Sequence, residues 1–377
     1  MIQFNLNHKD PHSKARAGTL ITDHGIIETP IFMPVGTLGT VKGVHQKELN
    51  DQVRAQIILA NTYHLFLRPD MDIMSKAGGI HKFINWDKPL LTDSGGYQIF
   101  SLSARRKITN EGVTFFSHID GSKQFFTPES VVDIQRIIGS DIMMALDECT
   151  PYPCTRQYAV KSLKITKNWL ERGIIQMEQT KPLYQHSQIF VPIAQGSLFE
   201  DLRQESILFN NQYQSPIYAI GGLSVGEPEE DLYKYVDICT NFMLPGSGRY
   251  LMGVGSPKNI LECIALGIDF FDCVLPTRNG RHGIIYTSQG IINIRNKKWK
   301  DDFSPLDEEL GLVTSQVHSK AYLRHLFMSG EMLGSQLASL QNLTFYLWLV
   351  NSAREEILKN NFTIWKDEIL SKITRRL

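Results

Sequence analysis

The chain has 377 residues, of which 42% are hydrophobic, enough for one large globular domain with additions. Its 39 lysines and arginines equal its 39 aspartates and glutamates, so net charge gives no pull toward nucleic acid and any such partner must be argued locally. The opening MIQFNLNHKD has no signal-peptide pattern and no apolar run approaches the roughly 20 residues that span a bilayer. Cys149, Cys154, Cys239, Cys263 and Cys273 lack a framework spacing, so a soluble, cytoplasmic protein with reduced thiols and no membrane partner is expected.

Residues 1–28 alternate in hydrophobicity around Asp23-His24-Gly25, the pattern of a hairpin that would cover one end of the fold. Eight short, near-continuously apolar runs follow: Thr29–Thr37, Ala55–Leu65, Pro89–Gly96, Asp141–Cys149, Ile189–Gly196, Ile217–Gly222, Arg249–Ser256 and Phe270–Arg278. Most are separated by enough chain for a crossover helix, which predicts parallel strands covered on both faces. An α/β fold of the (β/α)8 barrel type fits best. A doubly wound open sheet is the alternative, since periodicity does not show closure. After Arg281 the stretch GIIYTSQGIINIRNKKWKDD reads as a second hairpin ending in Arg295, Lys297, Lys298 and Lys300. From Ser319 to Lys372 the pattern is helical, with Leu343, Leu347 and Val350 three or four apart.

Three aspartates, Asp93, Asp147 and Asp272, stand where apolar runs give way to polar or glycine-rich text, at the mouth of the expected barrel. Asp93 precedes Ser94-Gly95-Gly96-Tyr97, two glycines that admit a flat ligand and a ring to stack on it; a solvated turn reads equally well. Of Asp147 and Glu148, adjacent on a strand end, one faces the mouth. Asp147 is the expected one and Glu148 a surface ion-pair residue. Gln195-Gly196-Ser197 and Gly221-Gly222-Leu223-Ser224-Val225 offer an amide and exposed main chain, though turn chemistry explains the glycines as well. Gly253-Val254-Gly255-Ser256-Pro257-Lys258-Asn259 follows the seventh run, a usual phosphate site in barrels. Asp272 leads into Thr277-Arg278-Asn279-Gly280-Arg281, whose arginine forks match phosphate oxygens; structural salt bridges are the alternative.

In order and spacing, LTDSGGYQ, DIMMALDECTPYP, GGLSVGEP, YLMGVGSPKN and DCVLPTRNGRHG resemble the tRNA-guanine transglycosylases, to about Asp307 and again in KAYLRHLF. That family has the (β/α)8 fold and exchanges guanine in the anticodon of GUN tRNAs for a 7-deazaguanine. The resemblance implies one domain over residues 1–377, with Asp272 as nucleophile at C1′ and Asp93 as general acid/base. It implies base contacts from Ser94, Gly95, Gly96, Tyr97, Asp147, Cys149, Gln195, Gly222, Leu223 and Met252, with Tyr97 and Met252 sandwiching the base. The tRNA would lie on Gly253–Asn259 and Thr277–Arg281; Lys297, Lys298 and Lys300 are as well read as solvated surface. Cys149 and Val225 look like the bacterial pattern that takes preQ1, without excluding queuine.

One departure concerns metal. The family has a zinc site of three cysteines and a histidine near the C-terminus, within what would here be residues 296–350. The matching positions are Leu310, Leu312, Ser315 and Gln341, a poor donor set, and His318 and His325 alone would need a third ligand. No zinc or other cofactor is expected. Packing by the leucines would stand in for the metal, and the family's homodimer contact, which that region contributes to, is weakened as an expectation. A non-catalytic tRNA-binding subunit and a two-carboxylate glycoside hydrolase are the competing functions.

Overall fold

The apolar runs become strands of two parallel sheets in the computed structural model, which describes residues 2–102, 106–311 and 313–377. One sheet orders Ile189–Val191, Ile142–Met144, Leu90–Thr92 and Ile58–Ala60. The other orders Ile193–Ala194, Ile217–Ile220, Gly248–Leu251, Phe270–Cys273 and Ile31–Pro34. Register places Ile142 beside Leu91 and Ile189, and Phe271 beside Leu251 and Phe32. At one pair of sheet edges Val35 bridges Leu59 in parallel, and the Gly36 N–H donates to the Leu59 carbonyl at 2.6 Å. At the other pair only Pro192, which has no N–H to give, divides the fifth run into two strands.

Ile142, Met143 and Met144 are all buried, as are all four residues of Ile217–Ile220, which is why these strands are apolar throughout rather than alternating. Helices fill the crossovers. In Pro128–Ile138, Thr127 and Ser130 cap each other's backbone N–H groups and Val131, Ile134 and Ile138 turn inward. Gly139, with φ 76°, ends the helix in the left-handed region. Some runs continue past their strands: Ala55–Leu65 is a strand only at Ile58–Ala60 before helix Thr62–Leu67 begins. An apolar run alone does not separate a strand from a buried helical turn.

The N-terminal hairpin has a third strand, giving Gln3–Lys9, Arg16–Thr22 and Gly25–Thr29. Phe4 packs on Phe270, with ring centroids 6.3 Å apart, and Arg16 pairs with the buried Asp269, so this sheet covers the amino ends of the parallel strands. Their carboxyl ends stay open. Lys107–Ile108, Val113–Phe116 and Lys123–Phe126 form a further antiparallel sheet, which the apolar runs do not predict. The expected C-terminal hairpin forms as Ile284–Thr287 and Gly290–Asn293, followed by helices Val313–Val317, Lys320–Ser329, Met332–Leu358 and Phe362–Ile373.

The long helix Met332–Leu358 joins two cores. Leu337 and Ala338 pack with Ile285, Ile292 and Leu323, whereas Leu343, Leu347 and Val350 belong to the main core. All five cysteines are free, and among the described residues no helix is long and apolar enough to cross a membrane.

Candidate active site

Each strand position delivers a residue from its carboxyl end to one cavity of about 370 Å³: Val35, Asn61, Asp93, Asp147, Gln195, Gly222, Met252 and Asp272 all line it. Its size is in the range of small-ligand sites. Asp93, directly after Leu90–Thr92, is held on all sides. Its Oδ1 accepts from the backbone N–H groups of Thr62 (2.9 Å) and Gly95 (3.2 Å), and its Oδ2 accepts from the Asn61 side-chain amide. Burial pushes its carboxyl up to about 7, against the pull of those donors, with a smaller push from the charge of Asp272.

Asp272 lies within Phe270–Cys273, and its Oδ1 accepts from the Tyr250 hydroxyl (2.7 Å) and the Gly253 N–H (2.8 Å). Among the described residues nothing donates to its Oδ2. Burial raises its carboxyl above the usual range. Asp147 takes the Gln195 amide on Oδ2 at 2.6 Å and the Ser94 hydroxyl on Oδ1 at 3.3 Å, and burial lifts it to about 6. Gln195 is itself buried, and among the described residues nothing donates to its Oε1. A Cβ at Gly222, whose φ is +63°, would stand 2.2 Å from that Oε1, so only glycine fits there.

Tyr97, 52% exposed, and Met252 both line the cavity, as do Ser94, Gly95, Cys149, Leu223 and Val225. Gly96 stands behind, in a smaller pocket with Asp147 and Cys149, whose thiol burial pushes up to about 12. Glu148 is not a surface ion-pair residue. It is buried and accepts from the Tyr158 hydroxyl at 2.5 Å, because the chain packs against helix Arg156–Gln179 immediately after Asp147.

The expected RNA segments divide in two. Gly253 and Arg278 line the cavity and Lys258 is exposed, paired with Glu229 at 2.5 Å. Val254, Gly255, Pro257, Thr277 and Gly280 face inward; a Cβ at Gly255 would meet that of Cys273 at 2.1 Å. Ser256 caps helix Pro257–Ala265, Asn259 accepts from the Tyr233 hydroxyl, and Asn279 donates to that of Tyr286. Arg281 is partly exposed, and Arg295, Lys297, Lys298 and Lys300 are exposed near the second hairpin.

Three residues that shape the site were not singled out from sequence. Asn61 follows a strand as Asp93 does, and Tyr250 shares a face with Met252 at the two-residue period of a strand; both signals were readable. Arg203 left none. Fully buried, it donates to the carbonyls of Ala194, Ser197, Gly221 and Gly222 and so fixes two of the site's loops.

The positions matching the family's zinc ligands do not form a metal donor set. Leu310 is buried in the main core and Leu312 lies outside the described residues. The buried Ser315 hydroxyl donates to Gln341 Oε1, while Gln341 Nε2 donates to the Tyr286 carbonyl at 2.9 Å. Packing is thus only part of what stands there; a buried polar pair holds the rest.

Three carboxylates that burial raises above their usual range converge on one cavity, the kind of arrangement found in enzyme active sites. The model of the queuine tRNA-ribosyltransferase family matches residues 10–375, and the chain belongs to that family of tRNA-modifying pentosyltransferases. It is 49% identical over 387 residues to the queuine tRNA-ribosyltransferase of Aquifex aeolicus, covering 100% of both chains. The like-named protein of Thermoanaerobacter pseudethanolicus is 49% identical over 371 residues, 98% of this chain and 97% of its own, and that of Desulforapulum autotrophicum 48% over 378 residues, all of both.

Proposed function

We propose that the protein exchanges guanine at the wobble position of GUN-anticodon tRNAs for a 7-deazaguanine by two displacements on Asp272. Asp272 Oδ2 attacks C1′, the glycosidic bond breaks, and Asp93 gives its proton to the departing guanine. A ribosyl ester on Asp272 remains. The incoming base gives a proton to Asp93 and attacks C1′ in turn, which releases the carboxylate. A proton shuttle near 7 suits this double use. As Asp272 loses its charge to the ester, its push on Asp93 fades, so proton release by Asp93 becomes easier as the bond to guanine breaks.

Asp147 and Gln195 would read the base edge between Tyr97 and Met252, with the unpaired Gln195 Oε1 as a further acceptor. Val225 at the cavity wall favours the smaller preQ1 over queuine. Arg278 at the rim would take phosphate. We infer that the two sheets close as one (β/α)8 barrel, supported by the Val35–Leu59 bridge and by all eight strand positions feeding one cavity. Chemistry needs no zinc at Leu310, Ser315 and Gln341. The free Oδ2 of Asp272, opposite an oxygen held by two donors, carries the proposal. Incorporation of labelled guanine into a GUN tRNA by the wild type and not by Asp272→Asn is expected. Binding of tRNA without incorporation by either would make the chain a non-catalytic subunit.

A further inference from the structure

At the opposite end of the strands, His24, His81, Asp141 and His186 each present one ligand atom, and the four atoms lie within 4.8 Å of one another. They come from four places in the chain. His24 is on the turn between the second and third N-terminal strands, and His81 is in helix Ile80–Ile84. Asp141 immediately precedes Ile142–Met144, and His186 stands shortly before Ile189–Val191. Asp141 is wholly buried, with Oδ1 2.6 Å from His24 Nδ1 and Oδ2 accepting from the Leu90 N–H at 2.9 Å.

The outer hydrogen bonds fix two of the imidazoles. His81 Nδ1 meets the Trp86 carbonyl at 2.9 Å and His186 Nε2 meets the Gly139 carbonyl at 3.0 Å; a carbonyl only accepts, so these nitrogens carry the protons. In the neutral rings, His81 Nε2 and His186 Nδ1 then hold lone pairs. Among the described residues no group makes a well-aligned hydrogen bond to the buried His81 Nε2, which faces Asp141 Oδ2 at 3.4 Å. A lone pair opposed to a carboxylate in a buried place is relieved by a cation between them, either a proton on Nε2 or a metal ion. Backbone carbonyls that orient imidazoles through their far nitrogens are the usual outer support of metal ligands.

We propose that these four residues bind one divalent transition-metal ion of the zinc class. Three imidazole nitrogens and one carboxylate oxygen favour zinc, cobalt or nickel over calcium and magnesium, which prefer oxygen alone. Bonds of about 2.0–2.1 Å in a tetrahedron set ligand atoms about 3.4 Å apart, so the widest separations must close from at most 4.8 Å while the 2.6 Å His24–Asp141 contact opens as its proton is displaced. Four protein ligands leave no open position. The ion is structural and ties the N-terminal sheet to the amino ends of the parallel strands, away from Asp93 and Asp272. The assignment does not depend on the proposed base exchange.

The test uses the full, untagged chain after chelator dialysis, titrated with Zn²⁺ by calorimetry and with Co²⁺ by visible absorbance. One ion per chain, an intense tetrahedral cobalt band and a zinc-dependent rise in Tm are expected. His24→Asn, His81→Asn and His186→Gln should each weaken binding at least about tenfold, while His318→Asn leaves it unchanged. Circular dichroism identifies any variant that fails to fold, and the other two then decide. No stoichiometric uptake by the wild type, or undiminished uptake by the folded variants, would overturn the site and leave a proton-linked histidine–aspartate cluster.

Discussion

Replacing Asn61 by leucine tests how Asp93 is tuned. The Asn61 amide donates to Asp93 Oδ2, and Asp93 already stands at about 7 because burial outweighs its donors. Leucine keeps the approximate shape of asparagine and removes the donor. Asn61 makes no side-chain cap to helix Thr62–Leu67, so that helix does not rely on the amide. A hydrogen bond to a charged group is worth about 1.5–3 kcal/mol, and one pKa unit is about 1.4 kcal/mol, so the Asp93 pKa should rise by roughly 1–2 units. In the proposed exchange the first displacement needs Asp93 protonated, so kcat/KM for tRNA should fall as pH rises through its free-enzyme pKa. In a guanine-exchange assay across pH, that falling limb should move from about 7 in the wild type to higher pH by this amount in Asn61→Leu. A limb that stays in place, or moves to lower pH, would refute the assignment of Asp93 as the titrating acid.

Asp93→Asn should abolish exchange yet stabilise the fold at pH 8. The folded-state pKa is raised from the ordinary 3.8, so the wild type's stability is fully present below that value and is lost as pH rises through about 7, by roughly 2–4 kcal/mol. Thermal melts of both proteins should therefore diverge with rising pH; parallel curves would count against it. Gly222→Ala would drive a methyl group into Gln195 Oε1, and displacing the amide from Asp147 should raise KM for guanine by about tenfold or more, read in initial rates with the fold intact by circular dichroism. Gln341→Leu strips partners from the buried Ser315 hydroxyl and Tyr286 carbonyl and should cost about 1–3 kcal/mol in denaturant unfolding. An unchanged midpoint would show that the polar pair contributes no stability.

The strand runs were legible because a strand covered on both faces is apolar at every position, as Ile142–Met144 is. Their ends were less so. Ala55–Leu65 hides a change from strand to helix at Asn61, since a buried helical turn is apolar too. Asp93, Asp147 and Asp272 stood out because a carboxylate after an apolar strand is conspicuous, whereas Glu148 looked like the same signal and is instead occupied by Tyr158, a partner ten residues away. Arg203 reaches four carbonyls from a helix that gives no hint of it. Likewise, the histidines at 24, 81 and 186 are too far apart in sequence to suggest one site; only the fold gathers them around Asp141.

The central claim is a covalent ribosyl ester on Asp272, and the most direct test is to trap it. The protein would be mixed with GUN tRNA under conditions that withhold an incoming base, denatured in acid, digested with ribonuclease and protease, and examined by mass spectrometry. A ribosyl adduct on the peptide carrying Asp272, absent from Asp272→Asn and discharged when guanine is supplied, is the predicted result. Release of guanine with no adduct on any peptide, or an adduct on Asp93, would contradict it.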